Sequence, residues 1–127
     1  ATQRNLDNSG IEQSKRIGNF FKRNKIEIDL VLSSEWCRCI DTAKYAFIDY
    51  KKFNALNSFY DERFIKNKER QVKDLINYIK KWNGKKNLVL ITHFVVISEI
   101  LNFSTSSGEM VFSDKNLNII GNIKISN

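Results

Sequence analysis

The chain has 127 residues, a length that fits one domain, and its 42% hydrophobic and 28% charged residues make a globular rather than a disordered composition. Twenty-one Lys and Arg stand against 14 Asp and Glu, a net charge of +7 that favours anionic partners without choosing among them. No apolar run approaches the roughly 20 residues of a membrane span, no heptad persists, and Cys37 and Cys39 supply neither a disulfide scaffold nor zinc-ligand spacing.

Ser9-Gly10-Ile11-Glu12 reads as a capping box, and Ile17, Phe20 and Phe21 continue one apolar face, which predicts a helix over 9–24. Leu30-Val31-Leu32 is a short, unbroken apolar run and reads as a buried strand ending at Ser33-Ser34. Those serines suit the cap of a second helix over 35–47. The stretch 48–66 is irregular and aromatic-rich, a loop with one short strand expected near 53–56. Val72, Leu75, Ile76, Ile79 and Trp82 recur at helical spacing, and Asn83-Gly84 is the expected stop. Leu88-Val89-Leu90-Ile91 is a second continuous apolar strand, followed by a helix over 95–101. Met110-Val111-Phe112 and the run from Ile119 to Ile125, separated by Ser113-Asp114-Lys115-Asn116, read as a hairpin.

Strands without alternating polarity, joined by helices, imply a three-layer α/β/α fold with a mostly parallel sheet and a C-terminal hairpin. Two parallel strands make a poor sheet, and the first helix has no strand before it. A first strand missing from the chain, preceding Ala1, is the expected remedy. The whole span 1–127 is then one domain, incomplete at its N-terminal side.

In open α/β sheets, ligands bind beyond the carboxyl ends of the strands. Two such ends look chemical. One is Ser33-Ser34-Glu35-Trp36-Cys37-Arg38, with Arg38 on the first turn of the next helix. The other is Thr92-His93, with the chain's single histidine at the strand tip. Arginine offers a planar fork matched to phosphate oxygens, a helix N-terminus favours anions, and a histidine beside them can donate a hydrogen bond or move a proton. Together they suit phosphoryl chemistry. Taken singly, each has an ordinary structural explanation: a helix-cap serine, a solvated arginine, a packed histidine. No Gly-x-Ser-x-Gly elbow, P-loop or GxGxxG occurs.

Ser33-Ser34-x-x-x-Arg38-x-x-x-Thr42-Ala43 after an apolar strand resembles the histidine phosphatase superfamily, with its phosphoglycerate mutase-like fold. The apolar strand ending in Thr92-His93, followed by an apolar helix, is similar to that family's second motif. Arg4, Leu6, Gly10 and Gln13 match the pattern of its first helix. The resemblance runs from Thr2 to Leu101 and implies metal-independent hydrolysis of phosphomonoesters through a phosphohistidine. It implies that Arg38 binds the phosphoryl group and that His93 is the second histidine, hydrogen-bonded to a phosphoryl oxygen. It also implies that a carboxylate, Glu62 or Asp61, protonates the leaving oxygen. No cofactor is implied.

The sequence departs from the family pattern in two places. No Arg-His-Gly motif and no second histidine occurs, so the nucleophile is expected upstream of Ala1, on the missing strand. Phe94 stands where many members have Gly, a bulk able to narrow or cover the pocket. The short stretch after the second helix, where larger members carry a lid, implies an open site for a phosphorylated partner such as a phosphoprotein or a phosphorylated glycan. Two alternatives stand beside this reading: an inactive phosphate- or polyanion-binding relative, and a nucleic-acid module using Lys66, Lys68, Arg70, Lys73, Lys80 and Lys81. A merely solvated helix face explains that last set better. Cytoplasm and periplasm both remain open as compartments.

Overall fold

A computed structural model describes residues 5–59 and 65–125. Helix α1 spans Asn8–Arg23, strand β1 Ile28–Ser33, helix α2 Cys37–Phe47, and the two-residue strand β2 Lys51–Lys52. A 3₁₀ turn at Asn54–Leu56 leads on to helix α3, Lys68–Lys80. Strand β3 is Asn87–Ile91, helix α4 is Phe94–Leu101, and strands β4, Glu109–Ser113, and β5, Ile119–Lys124, close the described chain.

Among the described residues the strands form two sheets. The first is parallel, in the order β2-β1-β3, and the second is the antiparallel pair β4-β5. The expected α/β fold with a parallel sheet and a C-terminal hairpin is therefore what the chain adopts. Side chains alternate across a strand, and this alternation distributes the core. Leu32 faces a cluster with Leu56, Phe59, Leu75, Ile79 and Val96, drawn from the 3₁₀ turn and the loop after it, α3 and α4. Val31 points the other way, to the face where α2 meets β1 and β3. Each of these leucines and valines is at most 5% exposed, and such burial stabilises by roughly 1.5–3 kcal/mol per side chain.

On the outer side of α2, helix α1 packs very closely. A Cβ on Gly18 would lie 2.2 Å from the Ala46 carbonyl oxygen, so only glycine permits this approach. Next to the hairpin, Gln13 Nε2 on α1 donates to the Ile125 carbonyl at 3.1 Å, and Leu117 of the hairpin turn packs against the main core. Gly108, with φ of 79°, lies against the same glutamine.

Several boundaries differ from the sequence expectation. Asp7, not Ser9, caps α1, its carboxylate accepting from Gly10 N–H at 2.8 Å. A carboxylate at this position also meets the positive end of the helix dipole. The short strand falls at Lys51–Lys52, and the 53–56 region is the 3₁₀ turn instead. Lys51–Lys52 is recruited by backbone pairing with Leu32 and Ser33 rather than by its own side chains. Helix α3 ends at Lys80, before Trp82.

Candidate active site

Because β1 and β3 are parallel and adjacent, with Ser33 in register with Ile91, their carboxyl ends open on the same edge of the sheet. Ser34 N–H donates to the Ile91 carbonyl at 2.9 Å and ties the two ends together. Arg38, exposed on the first turn of α2, and His93, the residue that opens α4, therefore occupy one edge. The Arg38 charge is felt at the His93 ring.

Ser34 is the hub of this edge. It is fully buried. Its Oγ lies 2.8 Å from His93 Nε2, donates to Asn57 Oδ1 at 3.0 Å, and accepts from Trp36 N–H at 3.2 Å. From the sequence this hydroxyl is expected as a helix cap, and the Trp36 contact keeps part of that role. Its principal partners lie elsewhere in the chain. Asn57 is held in turn by Glu35, whose N–H donates to Oδ1 at 2.8 Å and whose carboxylate accepts from Nδ2 at 2.9 Å. Gln71 Nε2, on α3, donates to the Asn57 backbone carbonyl and fastens the loop from below.

His93 is walled by aromatic and thiol groups. The Trp36 ring stands edge-on to it, centroids 4.9 Å apart. Cys39 Sγ is 3.7 Å from Nε2 and donates to the Thr92 carbonyl at 3.8 Å. Burial, reinforced by the Arg38 charge, lowers the His93 pKa from 6.5 to about 4, so the ring is neutral at pH 7. Burial raises the Cys39 thiol to about 11, against smaller lowering contributions from Ser34 and Arg38. Cys39 is thus a packed thiol, not an activated nucleophile.

Beside this edge lies an open cleft of about 520 Å³, lined by Glu35, Trp36, Asn57, Arg70, Gln71 and Asp74 among others. It does not include Arg38 or His93, and its polar lining suits a substrate's surroundings more than the reacting group. Phe94, the bulk able to narrow or cover the pocket, is 60% exposed. Asp61 and Glu62, the expected acid candidates, lie outside the described residues. Asn57 and Trp36 had no role in the sequence reading. Asn57 sits in an irregular stretch with no motif, and Trp36 was visible only as a neighbour of Arg38.

No family model and no curated protein matches the sequence. Solved structures do. The protein histidine phosphatase SixA, solved with tungstate, matches at a TM-score of 0.70 and 20% identity, over 98% of this chain and 87% of that one. The product of open reading frame Rv3214 from Mycobacterium tuberculosis matches at 0.58 and 14% identity, over 82% of this chain and 70% of the other. The chain shares the phosphoglycerate mutase-like fold of these structures, the architecture expected from its motifs.

Proposed function

We propose that this chain is the phosphate-handling body of a metal-independent phosphomonoesterase that works through a phosphohistidine. The observation that carries the reading is the meeting of Arg38 and His93 on one sheet edge of this particular fold. In the proposed reaction, Arg38 grips the non-bridging phosphoryl oxygens with paired donors. His93 donates a hydrogen bond to one of them as charge builds in the transition state. Glu62 or Asp61 gives its proton to the leaving oxygen as the P–O bond breaks.

The attacking nitrogen must come from a second histidine, because the chain holds one. We place it on a strand preceding Ala1 that pairs with the outer edge of β3. That edge has no partner among the described residues, and β3's apolar residues are only half-buried. The nucleophile forms an N–P bond, and water then cleaves it. A phosphorylated protein is the substrate class we favour, since SixA, which shares the fold, is a protein histidine phosphatase. The open cleft beside the site leaves room for a bulky phosphoester.

The test is hydrolysis of an aryl phosphate without added metal, comparing this chain with one extended by its native upstream residues. Turnover by the extended chain alone is expected, with Arg38→Ala or His93→Ala each lowering kcat/KM by about 10²-fold or more. A silent extended chain that still binds tungstate would instead make the protein a phosphate-binding relative without catalysis.

A further inference from the structure

A histidine can contribute a proton from either ring nitrogen, and which one it uses is set by the partner of the other. Around His93 the hydrogen-bond count leaves one arrangement. Asn57 is oriented from both ends: Oδ1 accepts from Glu35 N–H, and Nδ2 donates to the Glu35 carboxylate. Oδ1 therefore faces Ser34 as an acceptor, and the 3.0 Å contact needs the single Ser34 hydroxyl proton. Ser34 Oγ also accepts from Trp36 N–H. Its one remaining capacity is a lone pair, 2.8 Å from His93 Nε2. The reverse assignment, with Ser34 donating to His93, would leave two oxygen acceptors 3.0 Å apart with no proton between them. Cys39 agrees with this count. With its proton on the Thr92 carbonyl at 3.8 Å, the sulfur is an acceptor toward Nε2 at 3.7 Å, as the Nε2–H tautomer requires.

We infer that Asn57 and Ser34 are positioning residues that hold neutral His93 as the Nε2–H tautomer, with Nδ1 as its free lone pair. Asn57 acts two bonds away from the ring by claiming the Ser34 proton. On the proposed phosphatase reading this has a further consequence, which rests on that reading. The Nε2 proton is committed to Ser34, so a hydrogen bond from His93 to a bound phosphoryl oxygen uses a proton gained at Nδ1. Binding of an oxyanion dianion supplies the charge that makes this uptake favourable.

The chain's single histidine makes the test unambiguous. Long-range proton–nitrogen correlation spectra of the ¹⁵N-labelled protein at pH 7.5 report each ring nitrogen of His93 separately. Wild type is expected to show a protonated Nε2 and an unprotonated Nδ1. Asn57→Ala releases the Ser34 proton to turn toward Nε2, and the Nδ1–H form is expected to become the major one. Ser34→Ala removes the acceptor, and a mixture of both forms is expected. Asn57→Asp combined with Glu35→Gln keeps the acceptor oxygen and the donor–acceptor pair beside it, and should restore the Nε2–H form. A role confined to packing would change stability without moving this ratio, and amide spectra of each variant report folding.

A wild-type Nδ1–H tautomer, or an unchanged ratio in folded Asn57→Ala and Ser34→Ala, would overturn the assignment. Saturating inorganic phosphate then separates the two levels of the argument. Protonation of Nδ1 with Nε2 unmoved is the expected response. The correct tautomers with no response of His93 to phosphate would refute the oxyanion step and the phosphate-site reading behind it, while upholding the positioning pair.

Discussion

Strands β1 and β3 carry the same tripeptide in register. Leu30-Val31-Leu32 lies directly beside Leu88-Val89-Leu90. In β1, Val31 and Leu32 are each 5% exposed, whereas every apolar residue of β3 is only half-buried. Side-chain chemistry cannot be the cause, because it is identical. Among the described residues the difference is one of neighbours: β1 has β3 on one side and, at Leu32 and Ser33, β2 on the other, and β3 has β1 alone. A continuous apolar strand belongs in the interior of a parallel sheet covered on both faces. An apolar strand with an open edge is a surface that nature ordinarily covers or charges. The composition of β3 is that of an interior strand, and a pairing segment along its outer edge would give it that position.

The largest effect that tests this comparison is truncation of matched residues. Leu32→Ala removes a leucine from the cluster with Leu75 and Val96 and should cost about 2–5 kcal/mol in chemical denaturation. Leu90→Ala, its register partner on β3, should cost about half as much, because water already reaches its site. In the chain extended upstream, the Leu90→Ala penalty should grow toward that of Leu32→Ala. Equal penalties in the shorter chain would break the comparison. Equal increments in both chains would show that the edge is not where the added segment binds.

The ends of the same two strands behave differently from their middles. Ser34 clasps His93 there, and the ring is neutral because burial, with help from Arg38, holds its pKa near 4. In the unfolded chain the ring titrates near 6.5. Between these values the unfolded state binds a proton that the folded state refuses, so stability rises with pH from about 4 to 6.5 and is level above. Part of the ring touches solvent, which trims the gain to about 2 kcal/mol. Denaturation midpoints measured across this window should fall as the solution is acidified, and His93→Gln should flatten that slope. A histidine that titrates at 6.5 by NMR would mean the strand ends are as open as the β3 edge.

What the sequence revealed and what it concealed follow the same physics. Leu-Val-Leu runs announce strands because both faces must be apolar, and strand tips followed by helices mark the edge where Arg38 and His93 meet. Those features are local, and they were legible. Asn57 was not, because a lone asparagine in an irregular stretch looks like any other loop residue. It gains its role only when the 3₁₀ turn at Asn54–Leu56 brings it to Ser34, 23 positions away. The strand at Lys51–Lys52 escaped for a related reason: two exposed lysines carry no strand signal, and their pairing is dictated by the β1 backbone. Asp7 and Ser9 are both good caps, and only the geometry of the entering chain decides between them.

The smallest effect is a chemical one, and it probes how tightly the closed end of the sheet is held. Cys39 is 6% exposed on α2 and touches the end of β3 through the Thr92 carbonyl and His93. Only the thiolate alkylates. Raising the thiol from 9.0 to about 11 lowers the thiolate fraction at pH 8 about a hundredfold, and burial slows access further. In a Cys37→Ser background, iodoacetamide should therefore label Cys39 at least about a hundred times more slowly than the same chain in denaturant. Ser34→Ala removes the side-chain hydrogen bond that favours the thiolate and should slow labelling further, while the backbone tie from Ser34 N–H to Ile91 stays. If Cys39 instead reacts in the native chain as fast as when unfolded, the end of β3 opens as freely as its outer edge. The contrast between a closed end and an open side would then be lost.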